Sequence, residues 1–438
     1  PTRRSSDLLL GAFAQAFRTP DLRRKLLFTL FIMAAFRLGS FIPTPGVDSQ
    51  AVQRCMAQES QASLLDLVNL FSGGALLQLS IFALGIMPYI TASIIIQLLR
   101  VVIPRFDDLH KEGQTGQARL TQYTRYLTIG LGVLQATTTV SLARSGQLFQ
   151  SCSEGVIKDR SIVTFIMMII VMMAGTGVIM WLGELITERG IGNGMSLLIF
   201  TSIAARLPEQ LLSIGQSGKW ASVAAIVALL LVVALAVVYV EQAQRRIPVQ
   251  YAKRMIGRRQ YGGTTTYIPL KINMSGVIPV IFASSILALP PMVAQFGKTD
   301  DKWVQWISEH FSQGSSFYLT IYALFTLFFT FFYTAITFNP DEVADNMKKY
   351  GGFIPGYRAG RPTAEYLRYV INRITSAGAL YLVIIALLPS LAIIPLKLSS
   401  SQMPFGGTTL LIIIGVGLQT VKEINTQLQQ HHYEGFLK

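Results

Sequence analysis

Charge is scarce in this chain: 14% of its 438 residues are Asp, Glu, Lys or Arg, against roughly a quarter in soluble domains. Histidine is scarcer still, and none of His110, His310, His431 and His432 has metal-ligand spacing with Cys, Asp or Glu. No Walker A motif is present, so the chain is not expected to hydrolyse nucleotide. No nucleophile–base pair stands out, and no cofactor or enzymatic activity is expected. Carboxylates are also missing from the middle of the apolar runs, which argues against an ion-coupled carrier. Arg37 and Glu184 lie near run ends, where side chains reach the interface.

What is abundant is apolar sequence, 51% of the chain. A soluble protein of this length would divide into about three domains; here one membrane body is expected. Ten runs approach the roughly 20 residues a spanning helix needs: 26–42, 75–99, 126–143, 161–183, 193–213, 220–240, 273–296, 315–338, 371–395 and 405–421. The run 193–213 is the weakest, because Arg206, Pro208 and Glu209 interrupt it. Most of the 37 Lys and Arg fall on the side that carries the N-terminus, so both termini are expected in the cytoplasm. The first run follows Arg23-Arg24-Lys25 without an A-x-A-like site, and reads as a retained span. Cys55 and Cys152 both fall on extracytoplasmic loops. A disulfide is permitted there, but nothing in the sequence brings the loops together, and two unpaired thiols are expected.

Five runs precede the hinge loop 214–219 and five follow it, so the halves 26–213 and 220–421 have opposite orientation. The expected fold is an all-α membrane protein of ten transmembrane helices in two inverted five-helix halves. A cytoplasmic segment, 1–25, precedes them, and a cytoplasmic tail, 422–438, follows. One further apolar segment, Leu64 to Leu70, is too short to cross and ends in Phe71-Ser72-Gly73-Gly74. Irregular backbone is tolerated at membrane depth only inside protein or along a cavity. The segment is therefore expected to be re-entrant.

Two cytoplasmic loops are long and basic. Loop 241–271 carries Arg245, Arg246, Lys253, Arg254, Arg258, Arg259 and Lys271 against Glu241. Its glycines and the stretch Thr264-Thr265-Thr266-Tyr267 predict a β-hairpin. Loop 339–370 surrounds Gly351-Gly352-Phe353-Ile354-Pro355-Gly356 with Lys and Arg. Topology needs only a few such charges. Projecting, aromatic-bearing loops predict docking of a large acidic or RNA-containing partner. Gly192-Asn193-Gly194 reads as a tight turn and helix cap. Pro88 frees a carbonyl within the second run, and Ile86 and Ile90 share a helix face there.

The stretches IFALGIMPYITASIIIQLL at 81–99 and WLGELITERGIGNGMSLLIF at 181–200 resemble the two signatures of the SecY protein-conducting channel family. So do QRRIPVQYAKR at 244–254, GRRQYGG at 257–263, NMSGVIPVIFASS at 273–285 and GGFIPGYRAG at 351–360, all in family order. The resemblance implies a plasma-membrane channel that translocates unfolded polypeptides and releases hydrophobic segments sideways into lipid. It implies a pore ring of Ile86, Ile90, Ile199, Ile281 and Ile412. It implies a plug, 60–74, with Leu64, Leu67, Phe71, Gly73 and Gly74, and a lateral gate between spans two and seven. Thr91 and Gln135 are polar positions at that gate, read either as a weak contact across it or as packing residues. Arg246, Arg258, Arg259 and Arg358 are the implied contacts for the SecA motor ATPase or the translating ribosome. SecE and SecG subunits, signal sequences and unfolded chains are the other implied partners. Ala359 departs from the proline common in the family after the arginine matching Arg358, which implies a less rigid loop tip.

An apolar ring suits a pore that passes any sequence, because it gates by dewetting. Isoleucine keeps χ1 stiff without adding polarity. The competing expectation is a secondary transporter with inverted repeats. Few mid-membrane charges and oversized basic loops count against it. An intramembrane enzyme would need a catalytic pair that the sequence lacks.

Overall fold

The first apolar run folds as α1 (Pro20–Gly39). Pro20 occupies its first turn, where a missing N–H costs nothing, and Asp21 meets the positive end of the helix dipole. Leu22, Leu26, Thr29, Ile32 and Phe36 form its buried stripe, three or four residues apart. The computed structural model describes residues 17, 19–58, 72–146, 156–159, 161–216, 220–251, 254–256, 259–261, 265–294, 301–311, 315–396 and 407–435.

Helix α2 (Ser49–Gln58) starts at Asp48, whose carboxylate accepts the N–H groups of Gln50 at 3.0 Å and Ala51 at 3.4 Å. The loop before α2 is tied to a distant one. Asp48 N–H donates to the Val156 carbonyl at 2.9 Å, and Lys158 N–H to that of Gly46 at 3.1 Å. Cys55 is buried and disulfide-bonded, and no described cysteine is free. The chain's other cysteine, Cys152, lies outside the described residues. The expectation of unpaired thiols is therefore corrected at Cys55. Backbone pairing of 46–48 with 156–158 joins loops that lie about a hundred residues apart in the sequence.

The run 75–99 reads as one helix, but residues 72–86 are a succession of turns, and helix α3 (Met87–Val102) begins only where Pro88 fits its first turn. Gly73, Gly74, Leu79 and Gly85 all have positive φ, which no helix tolerates. Residues 42–44 supply hydrogen bonds instead. Thr44 N–H and its hydroxyl both donate to the Leu79 carbonyl, at 2.9 and 2.7 Å, and Ile81 N–H donates to that of Ile42 at 2.9 Å. Leu76, Leu79, Ser80 and Ala83 are fully buried, so this irregular backbone is hidden from lipid.

At Ile103 the chain bends by 102° into α4 (Pro104–Lys111). Helix α5 (Gln114–Ser145) closes on Gly146 in the left-handed region. It buries Leu120, Thr124, Thr128, Gly132, Ala136 and Val140, a ridge of every fourth residue. Helix α6 (Ile162–Arg189) is capped by Ser161, which accepts from Val163 N–H. Helix α7 (Gly194–Gln216) continues through Pro208 despite the interruption seen in the sequence.

The second half opens with α8 (Trp220–Gln242). The predicted hairpin follows: β1 (Gln244–Tyr251) pairs antiparallel with β4 (Thr265–Lys271), from Gln244↔Lys271 to Gln250↔Thr265. Strands β2 (Arg254–Ile256) and β3 (Arg259–Tyr261) pair at its tip. Helices α9 (Ile278–Leu287) and α10 (Leu289–Ala294) break the run 273–296 at Ala288. Then come α11 (Lys302–His310), α12 (Ser316–Thr337) and α13 (Pro340–Lys349). In α12 the buried hydroxyls of Thr326, Thr330 and Thr334 each bond the carbonyl four residues back. Strand β5 (Gly352–Phe353) adds to the free edge of β1, giving the order β4-β1-β5. The two long basic loops thus share one small sheet, a β element that an all-α description omits. Ile247, Val249 and Leu270 of the sheet pack on Met347, Leu367 and Ile371. Helices α14 (Arg361–Leu396) and α15 (Gly407–Gly435) complete the fold. Among the described residues, five helices are each long and apolar enough to cross a bilayer.

Candidate functional site

The largest apolar cluster lies where helices from both ends of the chain meet. Ile86 precedes α3 and Ile90 lies one turn on, its N–H donating to the Ile86 carbonyl at 3.1 Å. Ile199 lies in the first two turns of α7, Ile281 in the first turn of α9, and Ile412 in the second turn of α15. All five are buried, between 0% and 8% exposed, and all belong to this one cluster. Phe282 of α9 meets Phe329 and Tyr333 of α12 edge-on, at centroid distances of 5.8 and 6.3 Å.

Of the plug positions, Leu64, Leu67 and Phe71 lie outside the described residues. Gly73 and Gly74 are described, and two arginines converge on them. Arg37 Nη1 of α1 donates to the Gly73 carbonyl at 2.7 Å. A Cβ on Gly74 would lie 3.1 Å from Arg206 Nε of α7. The sequence reads Arg37 as a run-end residue reaching the interface and Arg206 as an interruption of its run, and neither as a partner of the glycines. Their signal was charge inside apolar runs, which marks functional positions in membrane proteins.

At the expected gate, α3 packs on α9. The Thr91 hydroxyl donates to the Met87 carbonyl of its own helix at 3.0 Å, and Gln135 of α5 is half-buried. No hydrogen bond links the two among the described residues. Along α3 is a cavity of about 410 Å³ whose lining includes Tyr89, Ser93, Gln97, Arg100, His110 and Tyr333. The Gln117 amide lies 2.8 Å from His110 Nδ1. Burial, and then the nearby Arg100 charge, hold the imidazole below its ordinary pKa. Behind the cavity, Arg125 of α5 and Glu184 of α6 form a two-pronged ion pair at 2.9 and 2.6 Å.

On the sheet, Arg246 is exposed in β1, and Arg358 is exposed beyond β5. Arg259 opens β3, and Arg258 lies outside the described residues. The tip bearing Arg358 and Ala359 is held by other means than proline. Tyr357 stacks on Tyr366 at 4.2 Å, and the Thr363 hydroxyl donates to the Arg358 carbonyl at 2.7 Å. Among the described residues no group of three His, Cys, Asp or Glu is arranged to hold a metal ion.

A multi-pass helical body with a buried apolar junction and a basic sheet places the chain among multi-pass membrane proteins. A solved structure of a protein-conducting channel shares the fold, with a TM-score of 0.62 at 18% identity over 92% of this chain and 91% of that one. Sec61 in the canine ribosome-channel complex gives 0.58 at 17% identity, covering 92% and 91%. The SecY family model matches residues 80–421. Protein translocase subunit SecY of Streptomyces galbus is 61% identical over 438 residues, covering 98% of this chain and all of the relative. That of Mycobacterium tuberculosis (strain ATCC 25618 / H37Rv) is 55% identical over 441 residues, with the same coverage. The chain belongs to the SecY family, and it is a multi-pass membrane subunit that forms a protein-translocation channel.

Proposed function

We propose that unfolded polypeptide threads the apolar junction itself, with Ile86, Ile90, Ile199, Ile281 and Ile412 as the ring. The observation that carries this is their common burial in one cluster although α3, α7, α9 and α15 lie far apart in the sequence. An unoccupied ring of this kind excludes water and ions by dewetting, and a threaded chain replaces its side-chain contacts without specific bonds. Ten spans are assigned, α1, α3, α5, α6 and α7 in one half and α8, α9 with α10, α12, α14 and α15 in the other. Both termini are cytoplasmic, in the plasma membrane. Segment 60–74 acts as the plug. Separation of α3 from α9 opens the lateral gate to signal sequences and to lipid, where each central leucine favours and each central Asp or Lys opposes release.

The basic sheet and the Arg358 tip dock the SecA motor or the translating ribosome. The exposure of Arg246 and Arg358 supports this, as does the ribosome complex of the structurally similar Sec61. SecE and SecG complete the assembly. The chain supplies the path, and the motor or ribosome supplies the work. The family assignment removes the secondary-transporter alternative.

The test is crosslinking of a stalled translocating chain to single cysteines at Ile86, Ile199, Ile281 and Ile412. Crosslinks at all four are expected. Crosslinks confined to exposed lipid-facing positions such as Leu235 would overturn the ring.

A further inference from the structure

Residues 272–277 join the docking sheet to α9, and they are held from every side. Ile272 N–H donates to the Ala243 carbonyl at 3.2 Å. Asn273 is 3% exposed and its side chain is fully engaged. Its Nδ2 donates to Glu241 Oε1 at 2.5 Å and to the Gly276 carbonyl at 3.0 Å, while its Oδ1 accepts the Ser275 hydroxyl at 3.1 Å. Lys422 of α15 reaches the Glu241 carbonyl at 3.5 Å. Two glycines let the segment rest directly on neighbouring helices. A Cβ on Gly378 of α14 would lie 2.5 Å from the Ile272 carbonyl oxygen, and one on Gly415 of α15 would lie 2.6 Å from Val277 Cγ1.

Within this socket Gly276 has φ +63°, and without a Cβ its backbone is free to swivel unless something fixes it. Asn273 does so by binding the Gly276 carbonyl and anchoring to Glu241 at the end of α8. On one side of the joint, β4 pairs with β1. On the other, α9 carries Ile281 and packs on α3. We propose that Asn273, locked to Glu241, is a positioning residue that makes the sheet and α9 move as one lever, so that displacement at the docking surface reaches the gate. This rests on the docking and gate assignments made above. The chemistry suits the task. A half-buried carboxylate holds its donor firmly, because breaking that bond leaves an unsatisfied charge.

The test uses the complete translocase, with its partner subunits, in proteoliposomes driven by added SecA. Asn273→Ala is expected to lower maximal precursor export about five-fold, leaving the half-saturating SecA concentration unchanged. Distances between spin labels on α3 and α9 should broaden in the same variant. Asn273→Asp sets two carboxylates against each other and should be at least as defective. Adding Glu241→Gln restores a donor–acceptor pair and should recover at least half of wild-type export. An Asn273→Ala variant with wild-type export and an unchanged α3–α9 distance distribution would overturn the proposal. So would a raised SecA requirement at full maximal rate, or a double variant no better than Asn273→Asp, and the double variant decides if Asn273→Ala fails to assemble. A wild-type complex that exports no precursor would instead bring down the channel reading itself.

Discussion

Arg37 Nη1 lies 2.7 Å from the Gly73 carbonyl oxygen, so a guanidinium from the first helix holds the backbone of the irregular segment that precedes α3. Gly73 and Gly74 have φ of +69° and +91°, and the Arg206 guanidinium lies against the second of them. A charge-assisted bond of this kind contributes about 1.5–3 kcal/mol. Arg37→Leu removes it and should raise the resting ion conductance of the reconstituted channel about ten-fold, with Arg37→Gln intermediate. Conductance across planar bilayers is the measurement, and wild-type leak in Arg37→Leu would count against a sealing role for this contact.

Ile412 is 0% exposed within the apolar cluster. Asn at this position puts an amide where water is excluded, at a cost of roughly 1–3 kcal/mol if unpaired, and the junction should take up water. Increased ion leak and export of precursors with defective signal sequences are expected. Ile412→Val removes only one methyl, about 1 kcal/mol, and should behave nearly as wild type. Equal leak in Ile412→Asn and Ile412→Val would exclude Ile412 from the ring.

Arg358 is exposed, and its backbone is fixed by the Thr363 hydroxyl. Arg358→Glu reverses charge without removing a packing contact. Precursor-stimulated ATPase of SecA should fall at least ten-fold, in line with the cost of losing a hot-spot contact, while the complex still assembles with its partners. Normal ATPase stimulation would place the docking surface elsewhere.

Arg125 and Glu184 join α5 to α6 through two parallel bonds. Their side chains are 41% and 21% exposed, so solvent screens the pair. A double-mutant cycle with Arg125→Ala and Glu184→Ala should give a coupling of about 1 kcal/mol by thermal melting in detergent. A coupling near zero would mean that the helices are held by their apolar faces alone.

Cys55 is disulfide-bonded beside the 46–48 and 156–158 backbone pairing. Under denaturing, non-reducing conditions the unreduced protein should take up no thiol reagent. Reduction should lower its melting temperature, since such links typically contribute about 2–4 kcal/mol. Two labelled thiols per chain would refute the bond.

Apolar run length is a local property, and it bounds α8 and α12 to within two residues, while the polar starts of α1 and α5 fall outside their runs. The β1–β4 hairpin was equally legible from Gly and Thr clustering. What the sequence hid depended on distant partners. Residues 72–86 are apolar enough for helix, yet the pairing of Thr44 with Leu79 and the positive φ of Gly85 make turns there. Cys55 read as a lone thiol because the contact that brings its loop to 156–158 involves main-chain groups with no side-chain signature. Of the candidate site, the five isoleucines are proposed through family resemblance alone, since isoleucine four apart on a helix is commonplace. Asn273 was passed over because nothing in its neighbourhood hints at Glu241, 32 residues away.

Gly352 and Phe353 donate a short third strand to the edge formed by Gln250 and Tyr251. That small splice means a bulky visitor gripping either projection tugs on both at once. Any force it exerts is delivered simultaneously to α9, which carries Ile281, and to the long α14 that underlies the sheet. A visitor able to prise β5 away would gain independent control of each arm.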